Sequence, residues 1–284
     1  MRLFLLPIST RRTLIYCQRL NVTTTEPTTL VERYSTKLTT KAADLWAGWE
    51  KKESGWQKKL VDYGNVMLKR IPYEEWGLKS IPSLSARRKA EDLAGKGDVE
   101  VSYPESLIPE ERVKDLLRKL GTERQAYHKK YMIWSFVGMP IVAPFALVPV
   151  IPNIPFFYLV FRAWSHWRAL GGSKHLEFLL ENKFITPKPS KILNAIYSSG
   201  NRPFDASSVP TTEKSSIDPI APEEKMVLHK ADGKVIAEAL GIPELNVELD
   251  RAVWQVEKAL QAEKELKEEK KELDTANSEA KPKK

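Results

Sequence analysis

The sequence predicts a mainly α-helical membrane protein built around a proline-broken helical hairpin, with amphipathic soluble helices to either side. Three observations carry that expectation. Residues 131–161 run for thirty-one positions without a charged side chain, in a chain where 29% of residues are charged. Five prolines interrupt the run. Basic residues flank it on both sides, with Arg118, Lys119, Arg124, Lys129 and Lys130 before it and Arg162, Arg168 and Lys174 after it.

An apolar stretch of this length is the usual mark of a membrane helix. One straight helix would be about 46 Å long, against a hydrocarbon core of about 30 Å. It would also pass through Pro149, Pro152 and Pro155, each of which removes a backbone donor and clashes with the preceding turn. The break is therefore expected at Pro149, Pro152, Asn153 and Pro155, between legs near 124–148 and 155–170. Positive loops stay on the side of insertion, so two basic shoulders favour a hairpin over a single span. The second leg is apolar for only about eight residues before Arg162. Arg162, Trp164, His166 and Trp167 are accordingly expected at the lipid–water interface, where cations snorkel and amphipathic rings gather.

At 284 residues, with a net charge of +8 and a pI near 9.3, the chain allows one or two domains and favours an anionic partner. Lysines and arginines beside an apolar run point to an anionic bilayer. No nucleic-acid partner is expected, because no zinc-finger spacing or aromatic RNA-binding signature occurs. Cys17 is the only cysteine, which excludes an intramolecular disulfide and a four-cysteine metal site.

Along the chain, residues 1–28 carry Arg2, Arg11, Arg12 and Arg19 with no acid before Glu26. That composition fits a mitochondrial presequence; LFLLPI and TLIYC around Ser9–Arg12 fit a short strand pair equally well. Residues 29–123 read as a soluble helical region. Its first helix is striped by Leu30, Tyr34, Leu38, Leu45, Trp49, Trp56, Leu60, Tyr63 and Met67. Ile71-Pro72 and Ile81-Pro82 end regular structure, and Gly95–Asp98 marks a turn. Pro109-Glu110-Glu111 opens a helix that leads towards the hairpin at 124–170. Gly171 and Gly172 end the second leg, and 171–185 forms a short helix. Six prolines among serines and threonines make 186–222 a linker. Helices follow over 223–275, the last highly charged, and 276–284 is a tail.

Motifs of catalysis are missing, so no enzyme, cofactor or metal site is expected. His128, His166, His175 and His229 are scattered, without His-Glu-x-x-His or paired cysteines. Arg162 and His166 lie four apart and share one helical side, which allows either a proton-handling role or plain interfacial solvation. No acid occurs within the apolar run. Its prolines do free backbone carbonyls, making Phe136, Pro140, Pro144 and Phe145 the candidate ion-path backbone in an oligomer.

The opening MRLFLLPISTRRTLIYCQRL and the segment from Tyr127 through Phe184, above all SFVGMPIVAPFALVPVIPNIPFFYLVFRAWSHWRALGGSKHLEFLLENK, resemble the mitochondrial potassium/hydrogen exchange-related family, in a fungal-type form. The resemblance spans about residues 1–185 and implies the inner mitochondrial membrane, soluble parts facing the matrix, and exchange of potassium for protons. It transfers no site residue. The function it implies is participation in potassium/proton exchange and matrix volume control, as a subunit or regulator of an oligomeric exchanger. The competing expectation is a hairpin-anchored scaffold or assembly factor that transports nothing.

Overall fold

The unbroken apolar run of the first strand places it inside the molecule with both faces covered. Strand β1 (Arg2–Pro7) lies next to β2 (Thr13–Gln18), β3 (Val99–Tyr103) and β4 (Ile185–Pro189) in the order β2-β1-β3-β4. β1 and β2 are antiparallel, with Leu3 opposite Cys17, while β1–β3 and β3–β4 are parallel. Successive side chains point to opposite faces. Leu3 and Leu5 thus join Ile15, Val101 and Tyr103 in one core, and Phe4 and Leu6 join Leu14 in a second. Pro187 and Pro189 sit on the edge strand β4, where lost donors need no ladder partner.

The computed structural model describes residues 1–18, 41, 44–96, 98–144, 154–199 and 224–279. It divides into two units, Met1–Gln18 with Tyr73–Lys284, and Arg19–Pro72. The second contains helical residues 44–50 and α1 (Trp56–Lys69), where Trp49 meets Trp56 edge-on at 5.6 Å. The larger unit holds the sheet and, in chain order, α2 (Tyr73–Ser80), α3 (Ala86–Glu91), α4 (Glu110–Thr122), α5 (Gln125–Val142), α6 (Ile154–Glu181), α7 (Lys191–Ser199), α8 (Lys230–Leu240) and α9 (Pro243–Glu279). One sheet face is covered by Leu78 of α2, Val113 and Leu117 of α4, and Leu176 and Leu179 of α6. The other is covered by Leu193, Ile236, Leu249, Val253 and Val256 of α7, α8 and α9.

The membrane-spanning hairpin is overturned. Among the described residues no helix is long and apolar enough to cross a membrane. The reason lies in how the apolar run is divided. α5 begins with Gln125, His128, Lys129 and Lys130 and has only Tyr131–Val142 left, about 18 Å of helix. α6 has Ile154–Phe161 before Arg162, and beyond that point it turns a polar face onto α2. The two helices pack antiparallel: Gly138 meets Leu159 and His128 meets His166. The expected break residues Pro149, Pro152 and Asn153 lie outside the described residues, as does Phe145.

Gly171 and Gly172 do not end α6. The helix continues because a close approach needs them: a Cβ at Gly172 would lie 2.0 Å from the Leu78 carbonyl oxygen of α2. On α2's opposite side a Cβ at Gly77 would lie 2.4 Å from the Ile15 carbonyl oxygen of β2. Two glycines thus wedge α2 between sheet and α6 with its backbone touching both. Ser173 then donates to the Gly121 carbonyl of α4 at 2.5 Å.

Gly172→Ala is expected to lower unfolding free energy by about 1–3 kcal/mol through overpacking against rigid backbone. Gly48→Ala, where nothing lies within 4 Å, should leave stability unchanged or raise it by up to about 1 kcal/mol. Urea denaturation of the two variants checks both.

Candidate functional site

The wedged helix α2 brings two charged residues into the interior. Glu75 and Lys79 are one turn apart on α2 and are both buried. Arg162, Ser165 and His166 lie on one face of α6, at the three- and four-residue spacing that makes helical neighbours. His128 comes from α5. Glu75, His128 and Ser165 have no exposed surface, and His166 is 1% exposed.

These six side chains form one continuous network. Arg162 donates to both carboxylate oxygens of Glu75, at 2.9 and 3.2 Å. Ser165 donates to Glu75 Oε1 at 2.5 Å and accepts from Lys79 Nζ at 2.9 Å. Arg162 Nη2 also donates to His166 Nε2 at 2.9 Å, and His166 Nδ1 lies 3.0 Å from His128 Nδ1. A guanidinium has no acceptor. His166 Nε2 must therefore be the lone-pair nitrogen and Nδ1 the protonated one. That N–H is then donated to His128 Nδ1, so His128 carries its proton on Nε2. His128 Nε2 is buried with no hydrogen-bond partner.

Electrostatics follow from burial and pairing. Burial disfavours the Glu75 carboxylate, but the Ser165 hydrogen bond and the Arg162 charge outweigh it and hold its pKa below the usual carboxylate value. A bidentate pair with its remaining lone pairs satisfied is the form in which a buried ion pair is tolerated. Burial holds His128 and His166 down to about 4 and lowers His175 as well. Burial brings Lys79 down to about 7, with Glu75 pulling the other way. The Lys79 ammonium rests 3.2 Å from the centre of the Trp76 ring, whose face also receives Arg251 of α9 at 4.4 Å.

A single Glu75 oxygen and one nitrogen each from His128 and His166 lie within 4.8 Å of one another, so this set has the donor chemistry to hold a metal ion. Four residues of the network, Glu75, Lys79, His128 and Ser165, carry no motif in the sequence. The visible signal was the Arg162/His166 spacing. The structure turns that pair inward, leaves Trp164 half-buried and exposes Trp167. Pro155 is exposed in the first turn of α6, Phe136 and Pro140 are exposed on α5, and Pro144 is exposed two residues past its end. The structure brings none of these four into the buried network.

The far ends of α5 and α6 form a second feature. Ile133, Trp134, Phe136, Val137 and Ile141 of α5 and Ile154, Phe157 and Val160 of α6 are exposed, Ile141 by 69% and Phe157 by 64%. Lys129 and Lys130 lie at the base of this apolar surface.

Residues 2–180 match the profile of a family described as mitochondrial K+–H+ exchange-related, which is more than half of the chain. The chain belongs to that family. All six network residues fall inside the matched segment. Family membership associates the chain with mitochondria and with K+–H+ exchange. An uncharacterized protein of Saccharomyces cerevisiae is 28% identical over 247 residues, covering 79% of this chain and 75% of its own. An uncharacterized protein of Schizosaccharomyces pombe is 29% identical over 196 residues, covering 68% of this chain and 81% of its own. No solved structure matches the chain.

Two outcomes follow from the network. Glu75→Gln leaves Arg162 without its buried counter-charge and should cost about 3–5 kcal/mol of stability in urea unfolding. Histidines held near 4 in the fold titrate near 6.5 when unfolded, so the unfolded chain binds more protons between those values. Their stabilising contribution is complete above about pH 6.5 and is lost as pH falls through about 4. The difference in thermal midpoint between the native chain and His128→Asn should shrink over that window; a constant difference would contradict the assignment.

Proposed function

We propose that the chain serves mitochondrial K+–H+ exchange as a non-enzymatic subunit or regulator of an inner-membrane exchanger, and thereby controls matrix volume. The observation that carries this reading is the exposed apolar surface at the far ends of α5 and α6. An apolar face of this kind, on an otherwise polar and basic chain, marks a surface that is covered in use. The occupant it fits is the headgroup boundary of an anionic bilayer. Trp134, Trp167 and Tyr158 are amphipathic rings of the interfacial kind, and Lys129 and Lys130 supply charge for anionic lipid. Contact of this sort lays the helices against one leaflet and needs no helix that crosses it.

The division of labour within α5 and α6 supports a regulatory role. Their inner halves are tied to α2 by the Glu75–Arg162 network, and their outer halves carry the apolar surface. A change in how the surface is seated thus acts directly on helices clamped at their other end.

The test pairs a binding assay with a cell assay. The Ile141→Asp, Phe157→Asp double variant gives up about 1.5–3 kcal/mol of apolar burial at each position. Its co-sedimentation with anionic vesicles should weaken by about 100-fold or more. Cells lacking the chain should have swollen, potassium-loaded mitochondria, corrected by the native chain or by nigericin, which exchanges potassium for protons, and not by the double variant. Swelling that persists in nigericin would overturn the exchange reading. Vesicle binding unchanged in the double variant would overturn the docking surface.

A further inference from the structure

We propose that Glu75, His128 and His166 form a site for a late first-row divalent cation of the Zn2+ class, for which Arg162 is the competing resident cation. The inference is independent of the exchange role and rests on the geometry of the three side chains.

The donor set is the first argument. Two imidazoles and one carboxylate, supplied by α5, α6 and α2, suit zinc and its neighbours; magnesium and calcium prefer oxygen alone. Bonds of about 2.0–2.1 Å at tetrahedral angles set donor atoms about 3.3 Å apart. Here His128 Nδ1 and His166 Nδ1 are 3.0 Å apart, and His166 Nδ1 is 3.8 Å from Glu75 Oε2. All three donor atoms lie within 4.8 Å of one another, so a small inward closure brings them to the corners of one coordination face.

Burial is the second. All three side chains are at least nine-tenths buried, so they need no reordering from solvent. His128 is in the tautomer a metal needs, with the proton on Nε2 and the Nδ1 lone pair facing inward. Ligation would use that Nδ1 lone pair and leave the proton on the buried Nε2.

Arg162 decides occupancy. With a metal on His166 Nδ1, the proton moves to Nε2 and would meet the Arg162 Nη2 donor that now sits 2.9 Å away. The metal and the guanidinium therefore exclude each other. Arg162 is the member able to leave, since its side chain is 12% exposed while that of Glu75 is fully enclosed. Departure of the guanidinium also removes a positive charge from beside the incoming cation.

The experiment uses the full-length chain, stripped with chelator and titrated with Zn2+ by calorimetry and with Co2+ by visible absorption. The native chain should bind one Zn2+ at this site and develop Co2+ ligand-field bands. Glu75→Gln or His128→Ala should weaken binding by about 100-fold or more. His175→Ala should bind unchanged, because His175 lies in a separate pocket against the Pro82 carbonyl. Arg162→Met should bind more tightly and regain its thermal midpoint with Zn2+. Should these variants not fold, the native chain decides: Co2+ bands with a raised thermal midpoint in Zn2+ support the site, and neither effect overturns it. Binding that survives in the folded His128→Ala, His166→Ala double variant would overturn it equally.

Discussion

The bidentate pair between Glu75 and Arg162 is the interaction on which the rest of this structure depends. A carboxylate with no exposed surface is stable inside a protein only if its charge and lone pairs are answered. Arg162 and Ser165 answer them, and both come from α6. Through His166 the same arginine fixes the tautomer of the His128–His166 pair, which binds α5. One ion pair thus joins α6 to the distant α2, and through His166 it reaches α5.

Reaching that arrangement requires α2 to lie deep, and close backbone contact adds to the core packing of Leu78 in putting it there. Gly77 lets it touch β2 and Gly172 lets α6 touch it. The sheet provides the floor, with β1 covered on both faces by the two cores. Helices α5 and α6 are then gripped at one end and bare and apolar at the other.

Part of this was legible from residues alone. The apolar runs LFLLPI and TLIYC mark β1 and β2, and the charge pattern and caps mark α4 and α9. β3, VEVSY, has β-branched character but is short and flanked by turn signals. β4 is masked by Pro187 and Pro189, which read as linker because sequence does not reveal that the strand sits at an edge. The thirty-one-residue apolar run reads as membrane by length, yet it contributes only Tyr131–Val142 to α5 and Ile154–Phe161 to α6, and the rest of each helix carries polar and charged side chains. Arg162 and His166 advertise their shared face through spacing. Glu75 is 87 residues from Arg162, and no local pattern announces a partner so far away; only the fold brings them together.

Histidine tautomers report most directly whether the arginine governs the cluster. Long-range 15N–1H correlation spectra of histidine-labelled chain, stripped of metal at neutral pH, distinguish a protonated from a lone-pair ring nitrogen at each site. The Arg162-centred account predicts His166 protonated on Nδ1 alone and His128 protonated on Nε2 alone. His166 protonated on Nε2, or either ring found as imidazolium, would contradict it.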